Sequence, residues 1–410
     1  NFRYNQVKGK SPSQISNSFT GSGLSNLSRT GSNALHFSNS NYFQETNLYS
    51  GVVEYTGKWG NTNNTLRAAY VHQNEPRSSA GNDFPLVDIK DGNNIITTFG
   101  YEPFTYGNLR DVKTLTLYYD GVWSVDNHQI TYGAQYEGST TKNGFQRFGA
   151  GYYLYNSWSD FVNGNKAANY VLTFPLTEDG SQAFPSFKFA QYSAFIQDEY
   201  AVNNKLKLTA GVRLEMPTFP NISAMKTHPL VEQLTFADGI KLNTGATPKS
   251  RIMVSPRVAF NYDAYGDRSL IFRGGSGVFT GRIPFVWIVA QSGDAGMLQY
   301  TQIFANNSIP DFSPDIRANF PSPLPAAGSS IPSNISAMDR NLKFPSTWKS
   351  YLAVDHTLPG GILGTIEAIY NKDINAVIAK NVNLVNPTQL EIAEYGDTRF
   401  IYPNTTADKY

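Results

Sequence analysis

The chain has 410 residues, room for two or three average domains or one large β architecture, and a formal net charge of +1. Near-neutrality without a long basic or acidic run argues against nucleic acid as a partner. The lack of cysteine excludes a disulfide framework, Cys-ligated zinc and a thiol nucleophile.

No run of about 18 apolar residues occurs, so transmembrane helices are excluded. The opening NFRYNQVKGK has no apolar signal core, and the closing NTTADKY has no strand character. The sequence therefore reads as cytosolic or, better, as an internal piece of something longer. Residues 1–45 form a weak or irregular lead-in that could supply one or two strands.

From residue 46 to 380, period-two patterns dominate and helix-period patterns are scarce. Five hairpins follow in order. Tyr49–Trp59 pairs with Thr65–Gln73, Lys113–Trp123 with Gln129–Gly138, and Phe187–Tyr200 with Lys205–Glu215. Ile252–Tyr262 then pairs with Ser269–Phe279, and Thr347–His356 with Ile362–Tyr370. Each short turn carries the Asn, Asp, Gly or Pro chemistry of tight connections. Between hairpins lie long stretches, 74–111, 139–186, 216–251 and 280–346, rich in Ser, Asn, Gly and Pro and read as loops. Residues 381–410 read as the start of a further loop.

Connections thus alternate short and long, as in a meander with brief turns on one rim and long loops on the other. Ten to fourteen residues at about 3.3 Å rise, tilted near 45°, span roughly 25–30 Å, enough for a bilayer. The apolar set of the strand entering each turn ends on an aromatic in four hairpins: Trp59, Trp123, Tyr200 and Tyr262. These are candidates for a membrane-interface girdle. The opposite face carries Glu54, Arg67, Asp120, Gln135, Arg213, Arg257, Arg273 and Asp355. In a soluble sandwich that face would be the solvated outside; in a barrel it lines a lumen. Strand length, rim aromatics, loop alternation and an aromatic content of 14% together favour an all-β, up-and-down antiparallel transmembrane barrel.

Two segments carry a family resemblance. QYSAFIQDEYAVNNKLKLTAGVRLE (191–215) resembles a barrel hairpin of TonB-dependent outer-membrane receptors. SPRVAFNYDAYGDRSLIFRGGSGVFTGRIPFVW (255–287) resembles, more specifically, the corresponding hairpin of their Oar-like subgroup in Gram-negative bacteria. The resemblance spans roughly residues 45–380. It implies a barrel of about 22 strands in the bacterial outer membrane, closed by an N-terminal plug on which inner-membrane TonB pulls during nutrient uptake. About ten strands are clear in this sequence, with no plug or TonB box, so it corresponds to part of such a barrel. The implied partners are membrane lipid and lipopolysaccharide, the TonB complex through a plug absent from this chain, and an outer-membrane protein partner in a scaffold, secretion or adhesion assembly. That assembly role, and a passive porin, stand as the alternatives to energy-coupled transport.

No enzyme, catalytic residue, metal or cofactor is expected. The five histidines show no ligand spacing. GGSGVF (274–279) lacks the frame of a nucleophile elbow, and DIKDGNN (88–94) lacks a full calcium pattern. Arg213, Arg257 and Arg273 recur at similar heights on successive inner faces, as a plug- or substrate-facing ladder or as cross-strand ion pairs. Clustered loop aromatics Tyr152, Tyr153, Tyr155 and Trp158, with Phe285 and Trp287, are the candidates for ligand capture or for packing the loops against themselves.

Overall fold

The computed structural model describes residues 1–401 except 18–27, 222–224, 333, 383–387 and 390–399. The expected onward loop 381–410 lies largely outside the described residues.

Eleven strands form one antiparallel sheet in chain order. They are β1 (Phe2–Ser13), β2 (Tyr42–Trp59), β3 (Thr62–Ser79), β4 (Leu109–Val125), β5 (His128–Gly144), β6 (Ser186–Ala201), β7 (Leu206–Asn221), β8 (Met253–Asp263), β9 (Leu270–Thr280), β10 (Ser346–Leu358) and β11 (Ile362–Asn375). The lead-in thus contains a full strand, β1, paired with β2 from Phe2↔Val53 to Ser13↔Tyr42.

The strands run further than the apolar alternation predicts. The β2–β3 ladder continues past Tyr49 to Gln44↔Arg77 and Tyr42↔Ser79. Alternation marks only the part of a strand with one face in an apolar medium, whereas backbone pairing continues above it. The turns are correspondingly tight. Gly60 takes a positive φ of 59° and Asp126 one of 49°, as two-residue hairpin loops demand. Asn203 accepts hydrogen bonds from the Lys205 and Leu206 amides at 2.8 and 2.9 Å, closing the third turn.

The register places the apolar residues on one face. Val53, Tyr55, Leu66, Leu117, Ile196 and Val258 share it, and all are exposed. Asp198, the one charge in the apolar set from Ala190 to Tyr200 on β6, sits opposite Ile130 and pairs with His128 at 2.7 Å. Glycines make room for rings on this wall: a Cβ on Gly274 would lie 2.7 Å from the Phe260 ring, and one on Gly275 2.9 Å from that of Tyr351. The GGSGVF glycines therefore fit the wall to itself.

The long connections are more ordered than their composition suggests. Five short strands from three of them, with Leu35–His36 from the connection between β1 and β2, form a second, mixed sheet in the order Gln299–Phe304, Asn169–Pro175, Tyr152–Tyr155, Leu86–Asp91, Asn94–Phe99, Leu35–His36. This roof has a true core, in which Val87, Ile89, Tyr153, Tyr170, Leu172 and Phe174 are buried together. DIKDGNN is its tightest hairpin, turning at Gly92 with φ 58°.

Candidate functional site

The polar face of the wall is laced by side-chain pairs along and between strands, because residues opposite, diagonal or two apart on one face lie within side-chain reach. Arg67 Nε donates to Glu54 at 2.7 Å, and its guanidinium lies 5.7 Å from the Tyr118 ring. Arg213 pairs with Glu215 at 3.1 Å and reaches Gln135 at 3.4 Å, while Gln191 donates to the same Glu215 at 2.8 Å. Arg273 pairs with Asp355 at 2.8 Å. Arg257 instead stacks over Phe279 at 4.6 Å and has no ion pair among the described residues. The register staggers the three arginines: Arg257 faces Gly211, two residues from Arg213, and Arg273 faces Asn261, four residues from Arg257.

The connection from β9 to β10 folds back against this face. Its helix, α1 (Phe285–Gly293), begins after Pro284 and sets Phe285 on Phe187 and Phe189, with ring centroids 5.6 and 5.0 Å apart. Ile288 and Val289 are buried beneath it. Gln291 ties it down by donating to the Thr244 and Ala246 carbonyls at 2.9 and 2.7 Å. Arg282 pairs with Glu137 on the wall.

A cavity of about 450 Å³ opens between α1, the edge strand Gln299–Phe304 and the ends of β4 and β5. Its polar lining is mostly amide, with Asn143 from the polar face and Gln299 from the roof, plus two opposite charges, Arg147 and Asp294. Asp294 caps the C-terminal end of α1, where the helix dipole disfavours a carboxylate. Burial pushes its pKa up, and the Arg147 charge pulls it part of the way back. Burial likewise lowers the Arg147 pKa, against the pull of Asp294. Neither side chain makes an ion pair or hydrogen bond among the described residues; Arg147 lies over the Phe148 ring at 5.4 Å. Two half-buried charges of opposite sign, without an ion-pair or hydrogen-bond partner among the described residues, suit a ligand that carries both signs.

The loop aromatics divide. Tyr152, Tyr153 and Tyr155 are fully buried in the roof. Tyr153 accepts from Asn319 at 2.7 Å, and burial pushes the Tyr155 phenol up to about 12. Trp158 and Trp287 are exposed, and Phe285 is half-buried on the wall. Trp59, Trp123, Tyr200 and Tyr262 stand on the apolar face beside the short turns. Trp59 stacks with Tyr55 and Tyr119, and Tyr200 stacks on His128 at 4.4 Å.

Sequence reasoning missed Arg147, Asp294 and the roof's buried ion pair. In that pair Arg29 Nε donates to Asp88 at 3.0 Å, and Thr98 Oγ1 donates to the same carboxylate at 2.6 Å. For Arg147 the available signal was a charge flanked by Phe145 and Phe148; for Asp294, a carboxylate directly after a helix. Among the described residues no cluster of His, Asp and Glu could hold a metal.

Among solved structures, the chain is similar to the outer membrane transporter YddB from Escherichia coli, at 12% identity and a TM-score of 0.54. That match covers 90% of this chain and 38% of YddB, so the chain spans well under half of its neighbour's length. It is also similar to the FrpB iron transporter from Neisseria meningitidis, at 14% identity over 91% of this chain and 50% of that one, with a TM-score of 0.42. A third likeness is to the siderophore receptor PiuA from Acinetobacter baumannii, at 9% identity over 80% and 40% of the two chains and a TM-score of 0.36. No curated protein sequence matches the chain. The family of outer membrane beta barrel domains matches residues 1–409. With its eleven-stranded antiparallel meander and outward apolar face, the chain belongs to that family and to the bacterial outer membrane.

Proposed function

We propose that the chain is the barrel portion of a TonB-dependent receptor of the Oar-like subgroup, which captures a nutrient outside the cell and admits it by energy-coupled transport. The observation that carries this reading is the roof with the charged cavity beside it. Four connections are committed to a folded layer at one end of the wall, and an Arg–Asp site opens between that layer, α1 and the polar face. An open diffusion pore has no need of such a layer.

In this reading the cavity makes the first contact with cargo, aided by exposed Trp158 and Trp287. Arg257, free of a carboxylate among the described residues, contacts the plug. Trp59, Trp123, Tyr200 and Tyr262 form the periplasmic girdle. The protein binds and passes cargo and carries out no reaction on it.

The test uses the full-length protein in its own host. Growth competition of a deletion strain across defined nutrients identifies the dependent one, and labelled uptake is then measured with and without TonB. Uptake should disappear in both strains, and Arg147→Ala should weaken cargo binding at least tenfold. Uptake that persists without TonB would point to a passive pore. Unaffected uptake in the deletion strain, with a stably co-purifying partner, would point to a scaffold.

A further inference from the structure

The wall is not evenly sealed. β8 pairs with β7 along its length, from Leu206↔Tyr262 to Glu215↔Met253, and β9 pairs with β10 up to Thr280↔Ser346. Between β8 and β9, however, the ladder stops at Arg257↔Gly277. Met253–Pro256 and Val278–Thr280 are therefore paired on their far sides only. Pro256 stands where the ladder ends and contributes no N–H to it, which is where a strand tolerates proline. The Ser255 and Thr280 hydroxyls bridge the split at 3.1 Å.

A groove of about 540 Å³ occupies the split. Val254, Pro256 and Val278, all from the apolar set, line it together with exposed Ile252. Lys249, Arg251 and Lys343 line it as well, and no carboxylate does. None of these three cations has an ion pair among the described residues; Arg251 donates only to Asn341, at 3.3 Å. The height is informative. Eleven residues separate Arg251 from the girdle candidate Tyr262, and at about 3.3 Å each and 45° tilt that is about 25 Å, the height of a barrel's apolar band. The cations therefore stand at the opposite membrane interface, directly above an apolar cleft that opens to lipid.

We infer that the split between β8 and β9 is a binding site for one phosphorylated lipid of the outer leaflet, its acyl chain on Val254, Pro256 and Val278 and its phosphate held by Lys249, Arg251 and Lys343. Charge complementarity selects the anion, since guanidinium and ammonium groups bind phosphate oxygens through charge-assisted hydrogen bonds. The cleft selects an amphiphile over a free ion. This site depends on the membrane placement of the wall and not on the transport reading.

The test uses full-length protein extracted from outer membranes in mild detergent, with bound lipid counted by native mass spectrometry and phosphorus assay. Wild type should retain one phosphorylated lipid per barrel after detergent exchange. The triple variant K249Q/R251Q/K343Q should retain at least tenfold less. Val278→Trp, which fills the cleft and leaves every cation in place, should lose it as well. Heat-modifiable migration on gels verifies that each variant is folded. After delipidation, a phosphorylated glycolipid added in mixed micelles should rebind to wild type, and its dephosphorylated form should not. Retention of wild-type lipid by the triple variant would overturn the phosphate site. Retention by Val278→Trp would overturn the seat in the strand split.

Discussion

The wall and the roof are built on opposite rules. In the wall every strand pairs with its neighbour in the chain, apolar side chains face outward and polar ones share the opposite face. In the roof, strands from four separate connections meet, apolar side chains face inward, and a buried Arg29–Asp88 pair sits among them. The wall draws its apolar burial from lipid, whereas the roof draws it from its own core, as a soluble domain does. One chain thus folds for two solvents, and a perturbation in one region should leave the other standing.

The sharpest test of that independence is Arg29→Met. It strands the Asp88 carboxylate in a fully buried site, and breaking a buried pair costs about 3–5 kcal/mol. Hydrogen exchange should accelerate across Leu86–Asp91 and Tyr152–Tyr155 while the wall keeps its heat-modifiable migration. If wall and roof were lost together, the comparison would fail. The converse substitution, Leu117→Arg, puts a charge on the lipid face and should destabilise the wall by about 2–4 kcal/mol in vesicle unfolding, with roof exchange unchanged.

A smaller effect should appear with pH. Burial raises the Glu102 pKa, against hydrogen bonds from Thr105 Oγ1 at 2.7 Å and the Phe104 amide at 3.0 Å. Its other oxygen, Oε1, has no partner among the described residues. Because the folded value lies above the unfolded one, this contribution is complete in acid and is lost as pH rises through the folded value. The protease resistance of the roof should therefore decline above the ordinary carboxylate range, and Glu102→Gln should flatten that decline. The smallest change is expected from Lys207→Ala, whose pair with Glu199 on the polar face is solvent-exposed and worth about 0–1 kcal/mol, so that unfolding midpoints should stay nearly unmoved. A large shift there would mean that the inner wall is drier than its exposure indicates.

The same contrast explains what was legible in advance. KLKLTAGVRLE displays its strand, its two faces and its place in a hairpin, because period two is a local property of the backbone. Trp59, Trp123, Tyr200 and Tyr262 could be placed beside their turns for the same reason. Tyr152, Tyr153 and Tyr155 could be recognised as a cluster, but not as the buried spine of a second sheet, because their neighbours lie at Leu86–Ile89 and Asn169–Val171, in other stretches of chain. Asp88 looked like part of an acidic loop until Arg29, 59 residues away, closed on it. Arg147 and Asp294 looked unrelated until α1 folded against the polar face. Sequence by itself determined the meander, its faces and its membrane, since alternation, turn chemistry and aromatic ends are written residue by residue. Only tertiary structure decided the roof, the charged cavity and the split between β8 and β9, because each depends on which distant segments meet.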